Sequence, residues 1–221
     1  TKPKDYLYHF TLNSFLISKF YTKKIKNRYR RIIVSSEYQK KQLKNLPVQT
    51  IPNGLKNHNI RNKIEETNHP KIIYIGHFTH FKGIDSLLES IKYAKMKYPE
   101  IKLTLAWSGY GSNNNILKKI NKLNLKENII FRRKIEVYKE LAKNDFLIVP
   151  YQSTVGTSHY HNVLLEAMST GTPILASKIG SIPGIIMDER TGIFINPSKP
   201  KNIAKKITRF FENKELREKI S

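Results

Sequence analysis

The sequence contains no cysteine, few acidic residues and no apolar run long enough to span a bilayer. Without cysteine, a disulfide framework and a thiolate metal site are excluded. The longest apolar runs, such as FLIVPY at 146–151, have the length of strands rather than of membrane helices. We therefore expect a cytoplasmic protein, because a reducing compartment fits a chain that forms no disulfides.

The shortage of acidic residues gives the chain a large positive charge. Its 221 residues include 17 acidic residues against 40 lysines and arginines, a formal charge of +23. In the segment 18–31, Phe20, Tyr21 and Ile25 alternate with cations, a pattern suited to an anionic lipid surface or a nucleic-acid backbone. A solvated helix face explains the same segment equally well. Nucleic acid is the weaker partner, since the aromatic residues do not cluster as a stacking platform.

Apolar runs of strand length alternate with segments of helical period from residue 71 onward, which predicts an α/β fold. The predicted strands are continuous isoleucine, leucine and valine runs, so helices should cover both faces of their sheet. This favours a doubly wound, Rossmann-like parallel sheet over residues 71–221. Residues 1–54 are interpreted as the incomplete end of an earlier α/β domain, and residues 55–70 as a linker. Strands are predicted at 31–36, 71–77, 101–108, 128–132, 145–151, 173–177 and 192–196, and helices at 7–29, 37–46, 84–98, 116–123, 137–143, 160–170 and 199–212.

Three loops after predicted strands carry ligand-binding candidates, because open parallel sheets bind ligands at the carboxyl ends of their strands. The first loop has Gly76 for close backbone approach and Lys82 just before a helix, which suits a phosphate. The second has Gly109 and Gly111 but lacks the third glycine of a dinucleotide fingerprint. The third, FRRKIE, can offer Arg133 and backbone groups to a base. Each loop taken singly also fits an ordinary surface turn.

A fourth loop opens a predicted helix with a polar face. Gly156, Thr157 and Ser158 can direct N–H groups toward an anion, together with the helix N-terminus. Glu166, about two turns into the helix, can accept hydrogen bonds from the vicinal hydroxyls of a ribose, and Asn162 lies on the same side. A carboxylate and an amide cradle suit a nucleoside diphosphate. The alternative is a capped helix with an exposed glutamate.

A metal site is a weaker interpretation of this fourth loop. His159 and His161 are close in sequence, but no third ligand with suitable spacing stands nearby. The sequence also has no Asp-x-Asp pair. We therefore expect no metal, with Lys82 and the helix start neutralising the phosphates instead.

Taken together, the segments IPNGL, YIGHFTHFKGIDSLLESI, SGYG, NIIF and ERTGIFINPSKPKNIAKKI have a recognisable order and spacing. With VPYQSTVGTSHYHNVLLEAMSTGTPILASKIGSIPGII, they resemble the C-terminal half of GT-B glycosyltransferases of the family 4 type. The resemblance covers about residues 31–218, and LLEAMSTGTP at 164–173 is its most specific part. Such enzymes have two Rossmann-like domains, of which the second binds a sugar nucleotide.

The resemblance implies roles for individual residues. Lys82 matches the family's pyrophosphate lysine, Glu166 matches the glutamate that binds the nucleotide ribose, and the loop 156–162 matches the one that presents amides to the distal phosphate. The expected catalytic set is Lys82, His77 and Ser158. The expected donor-binding set is Gly76, Gly109, Gly111, Arg133, Ile135, Gly156, Thr157, His159, Asn162 and Glu166.

Two positions depart from the family pattern. His77 stands where an arginine is usual, so a permanent cation is replaced by a group that titrates near neutrality. Ser158 stands eight residues before Glu166, where many members have a second glutamate that touches the donor sugar. The resemblance therefore leaves the donor sugar and the stereochemical outcome open.

The resemblance implies transfer of a sugar from a UDP-, GDP- or ADP-sugar to a carbohydrate, lipid-linked or protein acceptor, without a further cofactor. A lipid-linked acceptor would fit peripheral docking of residues 18–31 on the inner membrane face. Alternatives are a sugar-nucleotide epimerase or phosphorylase, a non-catalytic sugar-nucleotide-binding module, and a basic nucleic-acid- or membrane-binding protein. The chain is shorter than a full family member, so we expect a fragment, a subunit or a degenerate binding module.

Overall fold

The computed structural model describes residues 31–43, 46–55, 60, 67–111, 114–154 and 161–221. By their internal contacts, the residues fall into two units, Thr1–Asn53 and Gly54–Ser221. Several predicted features lie outside the described residues. These are the helix at 7–29, nearly all of the basic segment 18–31, most of the linker, and the loop residues 155–160.

The first unit contains one βαβ element. β1 (Ile32–Val34) pairs in parallel with β2 (Val48–Thr50), and α1 (Glu37–Gln42) connects them. The side chain of Ser36 accepts a hydrogen bond from the Gln39 backbone N–H at 3.2 Å, which satisfies one of the unpaired donors at the start of α1. The sequence pattern predicts β1 and α1 but not β2. The expectation that residues 1–54 end a longer domain stays a prediction.

The second unit has the predicted doubly wound α/β fold, with six parallel strands separated by helices or turns. The structure adds a last helix that the sequence pattern does not predict. The strands are β3 (Lys71–Phe78), β4 (Lys102–Gly111), β5 (Ile129–Arg133), β6 (Phe146–Val149), β7 (Ile174–Ser177) and β8 (Ile193–Ile195). The helices are α2 (Ile84–Lys95), α3 (Asn114–Lys122), α4 (Val137–Ala142), α5 (Asn162–Thr170), α6 (Pro200–Glu212) and α7 (Lys214–Ile220).

The strand order is β5-β4-β3-β6-β7-β8, with every pairing parallel. The chain moves from β3 outward through β4 to β5, and then returns to place β6 on the other side of β3. The loops that follow β3 and β6 therefore leave the sheet side by side at its carboxyl edge, before the chain continues to opposite halves of the sheet. This switch point is where open α/β sheets bind their ligands.

The central strands are mostly apolar, as expected where helices cover both faces of the sheet. Every residue of β6 and β7 is buried. Phe146 of β6 packs edge-on against Phe210 of α6, with ring centroids 5.5 Å apart, and α6 in turn packs against α2. This packing fixes β3 and β6, and thereby the starting points of the two loops at the switch point.

Candidate functional site

A glycine allows the loop after β3 to lie directly against the loop after β6. Gly83 has a φ of 71°, and a Cβ atom there would lie 1.8 Å from the carbonyl oxygen of Pro150. Only glycine fits such a position. The Gln152 backbone N–H also donates to the carbonyl of Phe81 at 2.9 Å. The 3₁₀ turn His80–Lys82 is thereby held at the switch point.

Lys82 places a cation in this buried position. Its side chain belongs to a residue only 6% exposed, and its Nζ lies 3.8 Å from the centroid of the Tyr151 ring. Burial lowers the pKa of Lys82 to about 8, and no carboxylate in the described part of the chain pairs with its ammonium. A buried charge is unfavourable unless it is paired. The geometry therefore favours an anionic ligand at this ammonium.

Two aromatic contacts connect Lys82 to the start of α5. The Tyr151 ring lies edge-on to the ring of His161, with centroids 5.2 Å apart, and His161 is the residue immediately before α5. Both residues are buried, and burial raises the pKa of the Tyr151 hydroxyl well above its usual range. The sequence pattern does not single out Tyr151. It suggests His161 only as a metal ligand, whereas the structure shows its ring packed on Tyr151.

Helix α5 carries Glu166, the residue predicted to bind the ribose, beside its buried face. Leu164, Ala167 and Thr170 face the core, while Glu166 is half-buried and Asn162 is exposed at the first helical residue. Burial raises the pKa of the Glu166 carboxyl above its usual value. The predicted phosphate-binding residues Gly156, Thr157, Ser158 and His159 lie outside the described residues.

The end of β3 carries Gly76 and His77. A Cβ atom on Gly76 would lie 3.1 Å from the hydroxyl oxygen of Tyr74, and that hydroxyl donates to the His77 carbonyl at 2.7 Å. The pKa of the His77 imidazole is lowered by partial desolvation and then by the positive charge of Lys82. The neutral form of the His77 imidazole is therefore favoured in the unliganded protein. The negative charge of a bound diphosphate would raise this pKa again.

Arg133 and Trp107 lie in the same row of the sheet as Gly76. Gly76 pairs with Trp107, and Trp107 pairs with Arg133, across β3, β4 and β5. The guanidinium carbon of Arg133 lies 4.4 Å from the centroid of the Trp107 ring system. The Phe78 ring also stacks on the Trp107 ring, with centroids 5.7 Å apart and planes inclined by 17°. This Phe78–Trp107–Arg133 stack runs along the carboxyl edge from β3 to β5.

The remaining predicted donor-binding positions flank this stack. Gly109, with a φ of 91°, and Gly111 lie within β4 rather than after it, because β4 continues to Gly111 and pairs there with Phe78. Lys134 has a φ of 51°, so the chain turns sharply after β5. The backbone N–H and carbonyl of the next residue, Ile135, form no hydrogen bond within the described residues. They are available to a ligand.

Two features are not found in the part of the chain that the structure describes. It contains no group of three histidine, cysteine, aspartate or glutamate side chains arranged to hold a metal ion. Across the same residues, no helix is both long and apolar enough to cross a membrane.

The doubly wound sheet and its switch-point site define a Rossmann-like domain of the kind found in GT-B glycosyltransferases. The family model "Glycosyl transferases group 1" matches residues 56–221, and the chain belongs to this family.

Relatives agree with the family assignment, and a solved structure agrees with the fold. The uncharacterized glycosyltransferase MJ1178 of Methanocaldococcus jannaschii is 27% identical over 200 residues, which are 86% of this chain and 52% of that protein. The sulfoquinovosyl transferase SQD2 of Arabidopsis thaliana is 30% identical over 162 residues, or 70% of this chain and 29% of that protein. Anabaena Alr3699/HepE, crystallised with UDP and glucose, superposes with a TM-score of 0.80 and 15% identity, over 94% of this chain and 60% of HepE.

The chain therefore spans about half of MJ1178 and less than a third of SQD2.

Proposed function

We propose that this chain is the donor-binding, C-terminal half of a family 4 GT-B glycosyltransferase, which transfers a sugar from a nucleoside-diphosphate sugar to an acceptor with retention of configuration. One observation carries the proposal: Lys82 holds a buried ammonium, without a carboxylate partner among the described residues, at the switch point of the sheet. Structures of HepE with UDP and with UDP-glucose support a nucleotide donor for a domain of this fold.

The chemical difficulty of the reaction is the departure of a diphosphate from the anomeric carbon. Negative charge grows on the diphosphate as the bond breaks, so cations and oriented donors that bind it more tightly at that stage accelerate the reaction. Lys82 would supply the cation, and its burial strengthens the attraction because the local dielectric is low. The N-terminus of α5 and the loop 156–158 would supply backbone N–H donors. Ser158 would stand near the donor sugar.

His77 would act differently from the arginine usual at its position. In the unliganded protein its neutral form is favoured, since desolvation and Lys82 lower its pKa. It would donate a hydrogen bond to a phosphate oxygen, and the phosphate charge would favour its protonated form. Together, Lys82 and His77 would place two positive charges against the diphosphate, one already present at pH 7 and one induced by the ligand.

The nucleoside would extend from the switch point along the carboxyl edge of the sheet. Glu166 would accept hydrogen bonds from the ribose hydroxyls, and Asn162 would lie near the distal phosphate. Gly76, Gly109 and Gly111 would allow the donor to approach the backbone closely. At the end of β5, Arg133 and the backbone of Ile135 would receive the base. UDP, GDP and ADP are the candidate nucleotides, and no cofactor beyond the donor is proposed.

The acceptor and the setting follow from the resemblance rather than from the site. We propose a hexosyl transfer to a carbohydrate, lipid-linked or protein acceptor in glycan or glycolipid synthesis. The enzyme would work in the cytoplasm, and the basic segment 18–31 would dock on the inner membrane face. Salt-sensitive sedimentation with anionic liposomes tests the docking: binding at low salt supports it, and equal recovery with neutral and anionic liposomes rejects it.

Titration calorimetry with UDP, GDP and ADP tests donor binding. Lys82→Met should weaken the preferred nucleotide about tenfold to a hundredfold, the range expected for a lost charge-assisted hydrogen bond. The matched control is Lys92→Met on α2, whose lysine is exposed. It should bind like the parent chain, and equal affinities for both variants would reject the assignment of Lys82.

Product analysis with the cognate sugar nucleotide then separates the classes of enzyme. Transfer to a new acceptor with the anomeric configuration kept supports a retaining glycosyltransferase. A changed sugar on the same nucleotide would indicate an epimerase, and a sugar phosphate formed with inorganic phosphate would indicate a phosphorylase.

A further inference from the structure

The Phe78–Trp107–Arg133 stack holds an exposed arginine in a fixed orientation. Arg133 is the last residue of β5, and its guanidinium carbon lies over the indole of Trp107. Phe78 stacks on Trp107 and also contacts Phe131 edge-on, with centroids 6.3 Å apart. A guanidinium packed in this way keeps its planar N–H donors available while it loses rotational freedom.

The guanidinium of Arg133 has no partner in the described part of the protein except the indole. No carboxylate forms an ion pair with it, and no carbonyl accepts its N–H groups, within those residues. An exposed arginine usually forms mobile surface pairs, whereas this one contacts an indole and pairs with no carboxylate among the described residues. Its N–H donors are therefore restrained by the indole contact and have no acceptor among the described residues.

The position of the stack matches one end of a nucleoside diphosphate. Phe78 ends β3 and stands four residues before Lys82, while Arg133 ends β5, two strands away. Neighbouring strands are about 4.8 Å apart, so β3 and β5 are separated by about 10 Å. A ribose with its base spans such a separation, so a diphosphate at Lys82 would place its base near Arg133.

This inference rests on the proposed function. We propose that the guanidinium of Arg133 selects nucleotides with a carbonyl oxygen at position 4 of a pyrimidine or position 6 of a purine, as in uracil and guanine. It discriminates against bases with an amino group at that position, as in cytosine and adenine. Arginine has N–H donors and no acceptor. It can donate to O4 of uracil or O6 of guanine, but it meets another donor at N4 of cytosine or N6 of adenine. Trp107 is then a positioning residue, which holds the guanidinium but does not touch the base through a hydrogen bond.

Two matched nucleotide pairs test this selection in the full chain. UDP and CDP exchange the carbonyl for an amino group on a pyrimidine, and IDP and ADP do so on a purine. The parent chain should prefer the carbonyl member of at least one pair, and the pair that binds more tightly identifies the size of the base. Arg133→Met should reduce that preference about fivefold or more, since a lost base contact of this kind removes roughly that much discrimination.

The role of Trp107 is tested by two substitutions. Trp107→Leu should lower the carbonyl preference although Arg133 is present, and Trp107→Phe should keep most of it because an aromatic face remains. In all three variants, the ratio of UDP to UMP affinity should stay that of the parent, since Lys82 binds the second phosphate independently. A changed UDP to UMP ratio with a lowered melting temperature would indicate general damage to the site and would overturn this role.

The outcomes separate the two proposals. If the parent chain binds no nucleoside diphosphate, the proposed function fails and the selection fails with it. If UDP binds and Arg133→Met leaves the UDP to CDP and IDP to ADP ratios unchanged, only the selection by Arg133 fails. Backbone groups such as those of Ile135 would then account for any preference.

Discussion

Replacing Lys82 by methionine should stabilise the unliganded protein while it weakens donor binding. Burial lowers the pKa of Lys82 from 10.5 to about 8. A pKa that differs by one between the folded and unfolded chains corresponds to about 1.4 kcal/mol, so the buried charge costs the folded state about 3 kcal/mol at neutral pH. The contact with the Tyr151 ring offsets part of this, by about 1–2 kcal/mol. Lys82→Met should therefore raise the free energy of unfolding by about 1–2 kcal/mol.

The stability difference between Lys82→Met and the parent should depend on pH. Below pH 8 the lysine is protonated in both the folded and the unfolded state, so the full penalty is present. Between pH 8 and pH 10.5 the folded protein releases the proton while the unfolded chain keeps it, so folding becomes more favourable as the pH rises. The advantage of Lys82→Met should therefore be largest at pH 7 and shrink toward pH 10.

Differential scanning calorimetry in phosphate-free buffer at pH 7 and pH 10 measures the effect. For a chain of this size, 1 kcal/mol moves the melting temperature by about 2–4 °C, so the variant should melt about 2–8 °C above the parent at pH 7. Lys92→Met, the exposed control, should melt at the same temperature as the parent at both pH values. The interpretation of Lys82 as a buried, unpaired cation would be refuted by a lower melting temperature for Lys82→Met at pH 7. An equal difference in melting temperature from the parent at both pH values would refute it as well. The parent must be free of nucleotide, since a bound anion would hide the penalty.

Two further predictions concern the same site. Gly83→Ala should destabilise the protein by about 3 kcal/mol or more in urea unfolding, because the new methyl group meets the Pro150 carbonyl and the φ is positive. Gly184→Ala is its control, since nothing lies within 4 Å of that site, and an equal loss in both variants would contradict the close contact. Donor affinity should fall on acidification at a pH above the usual 4.5 of glutamate, because burial raises the pKa of Glu166. Glu166→Gln should flatten this pH dependence in calorimetric titrations, and an unchanged profile would remove Glu166 from the donor site.

The architecture of the second unit can be predicted because its signal is local. β6 and β7 are continuous apolar runs, and both are entirely buried. The sequence pattern does not predict helix α7, since the helix is mostly charged and Arg217 is its only buried residue. One signal for it is present in the sequence: the Asn213 side chain accepts from the Leu216 N–H at 2.8 Å, as a helix-capping residue does. The pattern does not predict β2 either, because three residues next to a proline are too few to show a strand's apolar pattern.

The contacts that shape the candidate site cannot be predicted from spacing. Lys82 and Glu166 stand out by residue type and position, but Tyr151 does not, since a tyrosine that follows a buried strand usually belongs to the core. Its role depends on Gly83, which brings residues 79–83 against Pro150 across a long stretch of chain. Arg133 is a candidate from the sequence only through its place after a strand. The tertiary contact with Trp107 is what distinguishes it from a surface cation.

Two locally unfavourable features of the second unit meet at its switch point. Gly83 adopts a left-handed conformation against a backbone oxygen, and Lys82 beside it keeps a cation out of water. A sequence optimised for stability alone would place an apolar side chain at Lys82 and a looser turn at Gly83. Burial that destabilises the free protein becomes favourable once a diphosphate pairs with the ammonium, because the same low dielectric then strengthens the attraction. The instability of the empty site and its affinity for an anion thus have one cause, and substitution of Lys82 should change both in opposite directions.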